Sequence, residues 1–150
     1  MNDENDTERS GEETNLSELP VLNYYEERRR YPRVDLRTPV IISMRDGREL
    51  PARTRNVSAG GVQLRCDRQT SSILHPTGTH IKPRQGPSIM LRFDIPLRGK
   101  PRPFAAVGRL IYIAACRPNE FAFGVKFTRI NTSGRALLAE FIMESLRPRE

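Results

Sequence analysis

The sequence predicts a small all-β barrel with one helix packed against it. Stretches of alternating apolar and polar residues are typical of strands that bury one face, and turn signals separate these stretches. The last segment changes from a period of two to a helical period. Six short strands followed by one amphipathic helix favour an antiparallel barrel, and this pattern leaves the order of the strands open.

The first three strands are predicted in the N-terminal half of the chain. Apolar residues alternate from Pro39 onward, and Asp46-Gly47 is a strong signal for a hairpin turn. Residues 50–57 return as the second strand, and residues 62–66 form the third after a glycine-containing turn. The segment 67–86 contains many Pro, Gly, Ser and Thr residues, so we expect a long loop there.

Three further strands are predicted after this loop. Residues 89–95 alternate regularly between apolar and polar side chains. Residues 104–114 are more uniformly apolar, which predicts a strand buried on both faces, and Gly108 would allow a bend or a bulge within it. Residues 121–127 place an aromatic-rich row on one face. We expect this row to belong to the core.

The C-terminal helix is predicted over about residues 131–146. Asn131 is a suitable N-cap, and Pro148 is compatible with the end of the helix. Five apolar residues fall on one side at helical spacing: Leu137, Leu138, Phe141, Ile142 and Leu146. This side is expected to pack against the barrel.

Charge divides the chain into a tail and a domain. The chain of 150 residues carries a formal charge of +7. Residues 1–20 contain seven acids and one base, so they carry −6 and the remainder carries +13. Because residues 1–22 are also poor in apolar side chains, we expect a disordered acidic tail followed by one folded domain over residues 23–150. Such a basic domain suits an anionic partner.

The sequence also argues against several classes of protein. No apolar run is long enough to cross a bilayer, and the N-terminal residues do not resemble a secretory signal, so we expect a cytoplasmic protein without membrane insertion. His75 and His80 have no acids or cysteines at metal-ligand spacing, and Ser58 is not in a nucleophile elbow. We therefore expect neither a metal site nor catalysis. Cys66 and Cys116 are interpreted as reduced thiols.

Two short segments carry the functional signal. Residues 28–33 read Arg-Arg-Arg-Tyr-Pro-Arg, and Pro32 keeps this cluster out of a regular helix. Residues 56–61 read Asn-Val-Ser-Ala-Gly-Gly and join two predicted strands. A guanidinium can bind phosphate through two charge-assisted hydrogen bonds, pair with guanine O6 and N7, and stack on a purine. Together the two segments suit a compact ligand with several phosphates and flat rings.

The spacing of these residues resembles the signature of the PilZ domain, a bacterial receptor for cyclic di-GMP. The resemblance lies in Arg29-x-x-x-Arg33, preceded by Arg28, and in Asn56-x-Ser58-x-x-Gly61. It extends over roughly residues 26–146 and includes the last strand pair and the terminal helix. The resemblance implies a six-stranded Greek-key barrel, with an arginine arm at residues 26–34 that closes over cyclic di-GMP.

Roles for single residues follow from the same resemblance. It implies that arginines of the arm hold phosphates and guanine edges, that Asn56 faces a guanine edge, and that Ser58 bonds either the ligand or neighbouring backbone. Gly60 and Gly61 would allow positive φ and a close approach of backbone. The expected ligand-binding residues are Arg28, Arg29, Arg33, Asn56, Ser58, Gly60 and Gly61, with Arg30 and Tyr112 as further candidates. No role is assigned to Arg109 or Lys126.

Two other functions remain open at this point. A small basic barrel also suits a protein that binds single-stranded nucleic acid, although aromatic residues are few and the clearest row of them is expected in the core. Alternatively, the chain is an adaptor that binds only proteins. The favoured hypothesis is a cyclic di-GMP receptor that presents a ligand-dependent surface to an unidentified protein target, in motility or exopolysaccharide regulation. The ligand stoichiometry, one molecule or an intercalated pair, stays open.

Overall fold

Strands form most of the structure, a computed structural model that describes residues 31–78, 80–82 and 84–148. The expected tail and three arginines of the cluster, Arg28, Arg29 and Arg30, lie outside the described residues. The described elements are β1 Val34–Asp35, β2 Pro39–Ser43, β3 Glu49–Val57, β4 Gly61–Cys66, α1 Arg68–Leu74, β5 Ser88–Leu97, β6 Lys100–Arg117, β7 Glu120–Arg129 and α2 Thr132–Leu146.

The sheet closes because strand β3 pairs on both of its edges. The antiparallel order is β1-β3-β2-β5-β6-β7-β4, and β4 pairs again with β3. Strands β2 to β7 therefore form a six-membered ring, and two-residue β1 adds to the end of β3. The long connection from β4 returns β5 to the side of β2, which is the Greek-key arrangement. The predicted six-stranded barrel with a C-terminal helix is confirmed.

The inside of the ring holds the hydrophobic core. Strand β5 alternates strictly between exposed and buried residues along its ten positions. On β7, Phe123 and Val125 are fully enclosed, and Phe121 and Phe127 pack against the core, so the predicted aromatic row is confirmed. The prediction that residues 104–114 are buried on both faces is wrong. Strand β6 alternates there as well, with Ala105 exposed between buried neighbours.

Strand β6 is long and irregularly paired. It spans 18 residues, and its register with β7 shifts at three places, one of them between Val107 and Gly108. A Cβ at Gly108 would lie 2.4 Å from Cγ1 of Val125 and 3.0 Å from the carbonyl oxygen of Lys126. The expected irregularity at Gly108 is therefore observed, and close packing of β7 explains why a glycine stands there.

A helix occupies part of the segment that the sequence predicts to be a loop. Helix α1 begins after Asp67, whose Oδ1 accepts a hydrogen bond of 2.8 Å from the amide of Thr70. Thr70, Ser71 and Leu74 are buried. The helix has only seven residues, and most of them are polar, so the composition resembled that of a turn and concealed the helical period.

Helix α2 matches the sequence prediction closely. Asn131 caps it through a 2.7 Å hydrogen bond from the amide of Gly134 to its Oδ1. Leu138, Phe141 and Ile142 are buried against the barrel, whereas Leu146 in the last turn is half exposed. No helix among the described residues has the length and apolarity needed to span a bilayer.

The hydroxyl of Thr54 joins β3 to the connection between β1 and β2. Thr54 is 1% exposed. Its Oγ1 donates to the carbonyl oxygen of Leu36 at 2.6 Å and accepts from the amide of Thr38 at 2.9 Å. Backbone bonds from Leu36 to Arg55 and from Thr54 to Thr38 flank these contacts. This residue therefore fixes the backbone that leads into Asn56.

We expect Thr54→Val to lower the free energy of unfolding by about 1–3 kcal/mol, because it leaves the buried carbonyl of Leu36 and the partly buried amide of Thr38 without their partner. Urea denaturation measures this change. The matched control is Thr128→Val, at an exposed position where the hydroxyl donates to Val107, and we expect a change within about 0.5 kcal/mol. Equal losses in both variants would contradict the role given to Thr54.

The two thiols should differ sharply in reactivity. Cys66 is buried and Cys116 is exposed, and both are free. Burial, with a smaller contribution from the charge of Asp67, raises the pKa of the Cys66 thiol to about 12, so its thiolate is scarce at mildly alkaline pH. We expect an aromatic disulfide reagent to modify Cys116 quickly and Cys66 only after unfolding. A fast reaction that survives in Cys116→Ser would contradict this assignment.

Candidate functional site

A register shift between β3 and β4 determines which way Asn56 points. Thr54 pairs with Leu64 and Asn56 pairs with Gln63, so Arg55 is an extra residue on β3. Thr54 and Val57 are both buried although three positions separate them. The extra residue makes this arrangement compatible with alternation and leaves the partly exposed Asn56 on the outer face of the barrel.

The described end of the arginine cluster meets the turn at this point. Nη1 of Arg33 donates a hydrogen bond of 2.7 Å to Oδ1 of Asn56, across 23 positions of sequence. The neighbouring strand β1 holds the two residues together, because Val34 pairs with Val57 and Asp35 pairs with Asn56. The structure therefore brings Arg33 and Asn56 into one partly buried cluster on the outer face.

The turn after Asn56 is bonded within itself. Ser58 is 4% exposed, and its Oγ accepts a hydrogen bond of 3.1 Å from the amide of Gly60. The amide of Ser58 donates to the carbonyl oxygen of Gly61 at 2.8 Å. Of the two alternatives for this hydroxyl, the described structure shows the bond to neighbouring backbone, which is a common way for serine to stabilise a turn.

The two glycines differ from the expectation in their φ angles. The glycines with positive φ among the described residues are Gly47, Gly78 and Gly99. The expectation of positive φ at Gly60 and Gly61 is therefore wrong. Gly61 is instead required by close strand packing, since a Cβ there would lie 2.4 Å from the carbonyl oxygen of Val125 on β7. The amide of Phe127 also donates to the carbonyl oxygen of Gly60. These contacts attach the turn to β7.

A row of outward-facing residues extends from Asn56 across four strands. Asn56 on β3 pairs with Gln63 on β4, Gln63 pairs with Gly124 on β7, and Gly124 pairs with Tyr112 on β6. Residues paired in this way share one face of a sheet. The ring of Tyr112 lies over Gly124, because a Cβ at Gly124 would be 2.2 Å from Cε2 of Tyr112. The ring thus bridges from β6 over β7.

Hydrogen bonds connect this row to Arg33. Nε2 of Gln63 donates to the hydroxyl oxygen of Tyr112 at 2.7 Å. Nδ2 of Asn56 lies 3.5 Å from Oε1 of Gln63, and Oδ1 of Asn56 accepts from Arg33. Tyr112, which sequence reasoning named as a further candidate, therefore joins the cluster through Gln63. Sequence reasoning missed Gln63, although its position two residues after Gly61 on a strand already placed both on one face.

The neighbouring row adds positive charge. Gly61 pairs with Lys126, and Lys126 pairs with Arg109, so both half-buried cations stand beside the row that contains Gly124 and Tyr112. The sequence left these two residues without a role because a contact with the ligand and an ordinary half-buried strand position could not be told apart. Strand register places both residues on the outer face, where they add positive charge beside the row.

Of the predicted ligand-binding residues, the structure brings together Arg33, Asn56, Ser58, Gly60, Gly61 and Tyr112. A groove of about 730 Å³ lies elsewhere, between strands β2, β5 and β6 and the start of α2. Arg92, Arg102 and Asn131 line that groove, and none of the predicted ligand-binding residues does. The candidate site is therefore the polar outer row, since the functional motifs meet there.

Comparison with known families identifies the family to which this fold belongs. The family model of the PilZ domain matches residues 27–144. The chain belongs to the PilZ domain family. The match spans the arginine cluster, the barrel and most of α2, and it confirms the resemblance seen in the sequence. PilZ domains are regulatory receptors rather than enzymes.

Solved PilZ structures share the barrel at low sequence identity. The inhibitor of motility MotI (DgrA) from Bacillus subtilis superposes with a TM-score of 0.61 at 22% identity, over 82% of this chain and 54% of MotI. The PilZ domain of YcgR from Escherichia coli, solved with cyclic di-GMP, gives 0.54 at 16% identity, over 79% of this chain and 91% of that domain. The chain thus spans about half the length of MotI. Comparison with curated protein sequences gave no match.

We expect Ser58→Ala to lower the free energy of unfolding by about 0.5–1.5 kcal/mol, because the partly buried amide of Gly60 loses its acceptor. Thermal and urea denaturation measure the loss. Ser88→Ala, at an exposed position of β5, is the matched control and should change stability by less than about 0.5 kcal/mol. If Ser58→Ala is as stable as the wild type, the hydroxyl does not stabilise the turn.

Proposed function

We propose that this PilZ domain binds cyclic di-GMP on the outer row and passes the signal on through a ligand-dependent contact with another protein. The hydrogen bond between Arg33 and Asn56 carries the proposal. It joins the two motifs, which are far apart in sequence, on one partly exposed surface. Each motif alone is a common feature of basic arms and turns, whereas the two in contact form a site with a cation and a directed acceptor.

In this proposal, different side chains of the site bind different parts of the ligand. Arg33, together with Arg28 and Arg29 from the preceding segment, binds the phosphates and guanine edges through charge-assisted hydrogen bonds. Arg30 is a further cation of the cluster. Asn56 accepts from guanine N–H groups through Oδ1, and Tyr112 offers a ring beside the base. Lys126 and Arg109 add to the positive potential that attracts the dianionic ligand.

The relatives support the choice of ligand. The YcgR domain that shares this barrel was solved with cyclic di-GMP, and MotI is an inhibitor of motility. For the present chain we propose the same ligand, no catalysis, no metal, and a location in the cytoplasm. The target protein is unidentified. Motility or exopolysaccharide machinery is the proposed class.

Binding of single-stranded nucleic acid is less well supported. Such barrels stack bases on exposed aromatic side chains. Here the aromatic row of β7 faces inward, with Phe123 fully buried. Positive charge alone would give weak binding that depends strongly on salt.

Isothermal titration calorimetry with cyclic di-GMP tests the proposal. We expect the wild type to bind with a fixed small stoichiometry and to ignore GTP. Arg29→Ala and Arg33→Ala should each weaken binding by about 1.5–3 kcal/mol, or about 10- to 150-fold, because each removes a charge-assisted contact. Ser58→Ala should cost less, near 1 kcal/mol, because its hydroxyl supports the turn.

The matched control is Arg45→Ala, which removes one exposed arginine from the hairpin between β2 and β3. This variant should bind like the wild type. Equal affinities in all five proteins would end the site assignment. Binding of single-stranded RNA that falls steeply with salt, without saturable binding of cyclic di-GMP, would replace the proposal by the nucleic-acid alternative.

A further inference from the structure

Gln63 occupies the centre of the outer row and makes the contacts that connect its two ends. It lies between Asn56 on one side and Tyr112 on the other, and it is only partly exposed. Its amide is the one group in the described row that reaches both residues. The side chain belongs to neither motif of the family signature, since it follows Gly61 by two positions.

The hydrogen bonds of the row share one direction, because each side chain from Arg33 to Gln63 donates to the next one along the row. Arg33 donates to Oδ1 of Asn56, Nδ2 of Asn56 faces Oε1 of Gln63, and Nε2 of Gln63 donates to Tyr112. Arg33 has only donors, so the Asn56 amide must present its oxygen there. The amide group of Asn56 then faces Gln63, whose own oxygen must point back toward it. Each side chain therefore fixes the orientation of the next.

Gly124 makes this chain geometrically feasible. Because Gly124 has no side chain, the Tyr112 ring can lie on β7 and bring its hydroxyl group within 2.7 Å of Gln63 on β4. Any larger residue would lift the ring away from the sheet. The far end of the row is thus held by packing as well as by a hydrogen bond.

We propose that Gln63 is a positioning residue of the ligand site, which orients the Asn56 acceptor and the Tyr112 ring for guanine. This inference rests on the proposed function. Guanine presents N–H donors on its Watson–Crick edge, so recognition needs an acceptor oxygen that does not rotate away. Holding that oxygen in place before the ligand arrives reduces the conformational entropy lost on binding.

The test is a double-mutant cycle, measured by calorimetry with cyclic di-GMP on the full chain. Gln63→Leu keeps the size of the side chain and removes both hydrogen bonds, and it should weaken binding about tenfold. Tyr112→Phe removes only the hydroxyl and should weaken binding about threefold. The double variant should bind within about twofold of Gln63→Leu, because both changes break the same chain. Gln69→Leu, the same change at an exposed position of α1, should match the wild type.

A second measurement needs no ligand. In the ligand-free protein, the side-chain amide signals of Asn56 in a ¹⁵N correlation spectrum should shift in Gln63→Leu and remain in place in Gln69→Leu. Binding by Gln63→Leu within twofold of the wild type, or effects that multiply fully in the double variant, would overturn the positioning role while leaving the receptor function intact. A wild type that does not bind would overturn both.

Discussion

The position of the site depends on the double pairing of strand β3. One nine-residue strand must pair with β2 and β1 along one edge and with β4 along the other, and this closes the barrel. In a regular strand, alternate side chains point inward, so Thr54 and Val57, which are three positions apart, would point to opposite faces. Regular alternation therefore cannot satisfy all three pairings and also bury both residues. The extra residue at Arg55 resolves the conflict, and the same irregularity turns Asn56 outward. Closure of the core and the outward position of Asn56 are therefore two results of one local register.

The barrel supplies a different kind of support at each part of the site. Thr54 fixes the backbone before Asn56, the buried hydroxyl of Ser58 shapes the turn after it, and Gly61 lets that turn lie against β7. The outer row then extends over neighbouring strands, where rigid backbone sets the spacing of the side chains. A site built on paired strands is held more accurately than one built on loops alone.

Most of the fold was predictable because its signals are local. Alternation revealed the strands, Asp46-Gly47 marked a hairpin, and Asn131 marked the start of α2. The features that the sequence analysis predicted wrongly or missed depend on information that local patterns do not contain. Helix α1 is too short and polar to show a period, and β6 carries exposed apolar residues such as Ala105 that looked like core residues in the sequence. Gln63 is an ordinary strand residue until the register places it between Asn56 and Tyr112. The sequence likewise could not show that Gly61 lies against the backbone of β7, where a side chain would not fit.

Strand β1 has only two residues, but it determines how the chain enters the outer row. Its pairing with the end of β3, together with the bond from Leu36 to Arg55, anchors the chain directly beside Asn56. The position at which the chain enters the outer row is therefore set by backbone pairing. The guanidinium of Arg33 needs to order only its own side-chain torsions to reach Oδ1 of Asn56, so the conformational entropy lost in forming that contact is confined to one side chain.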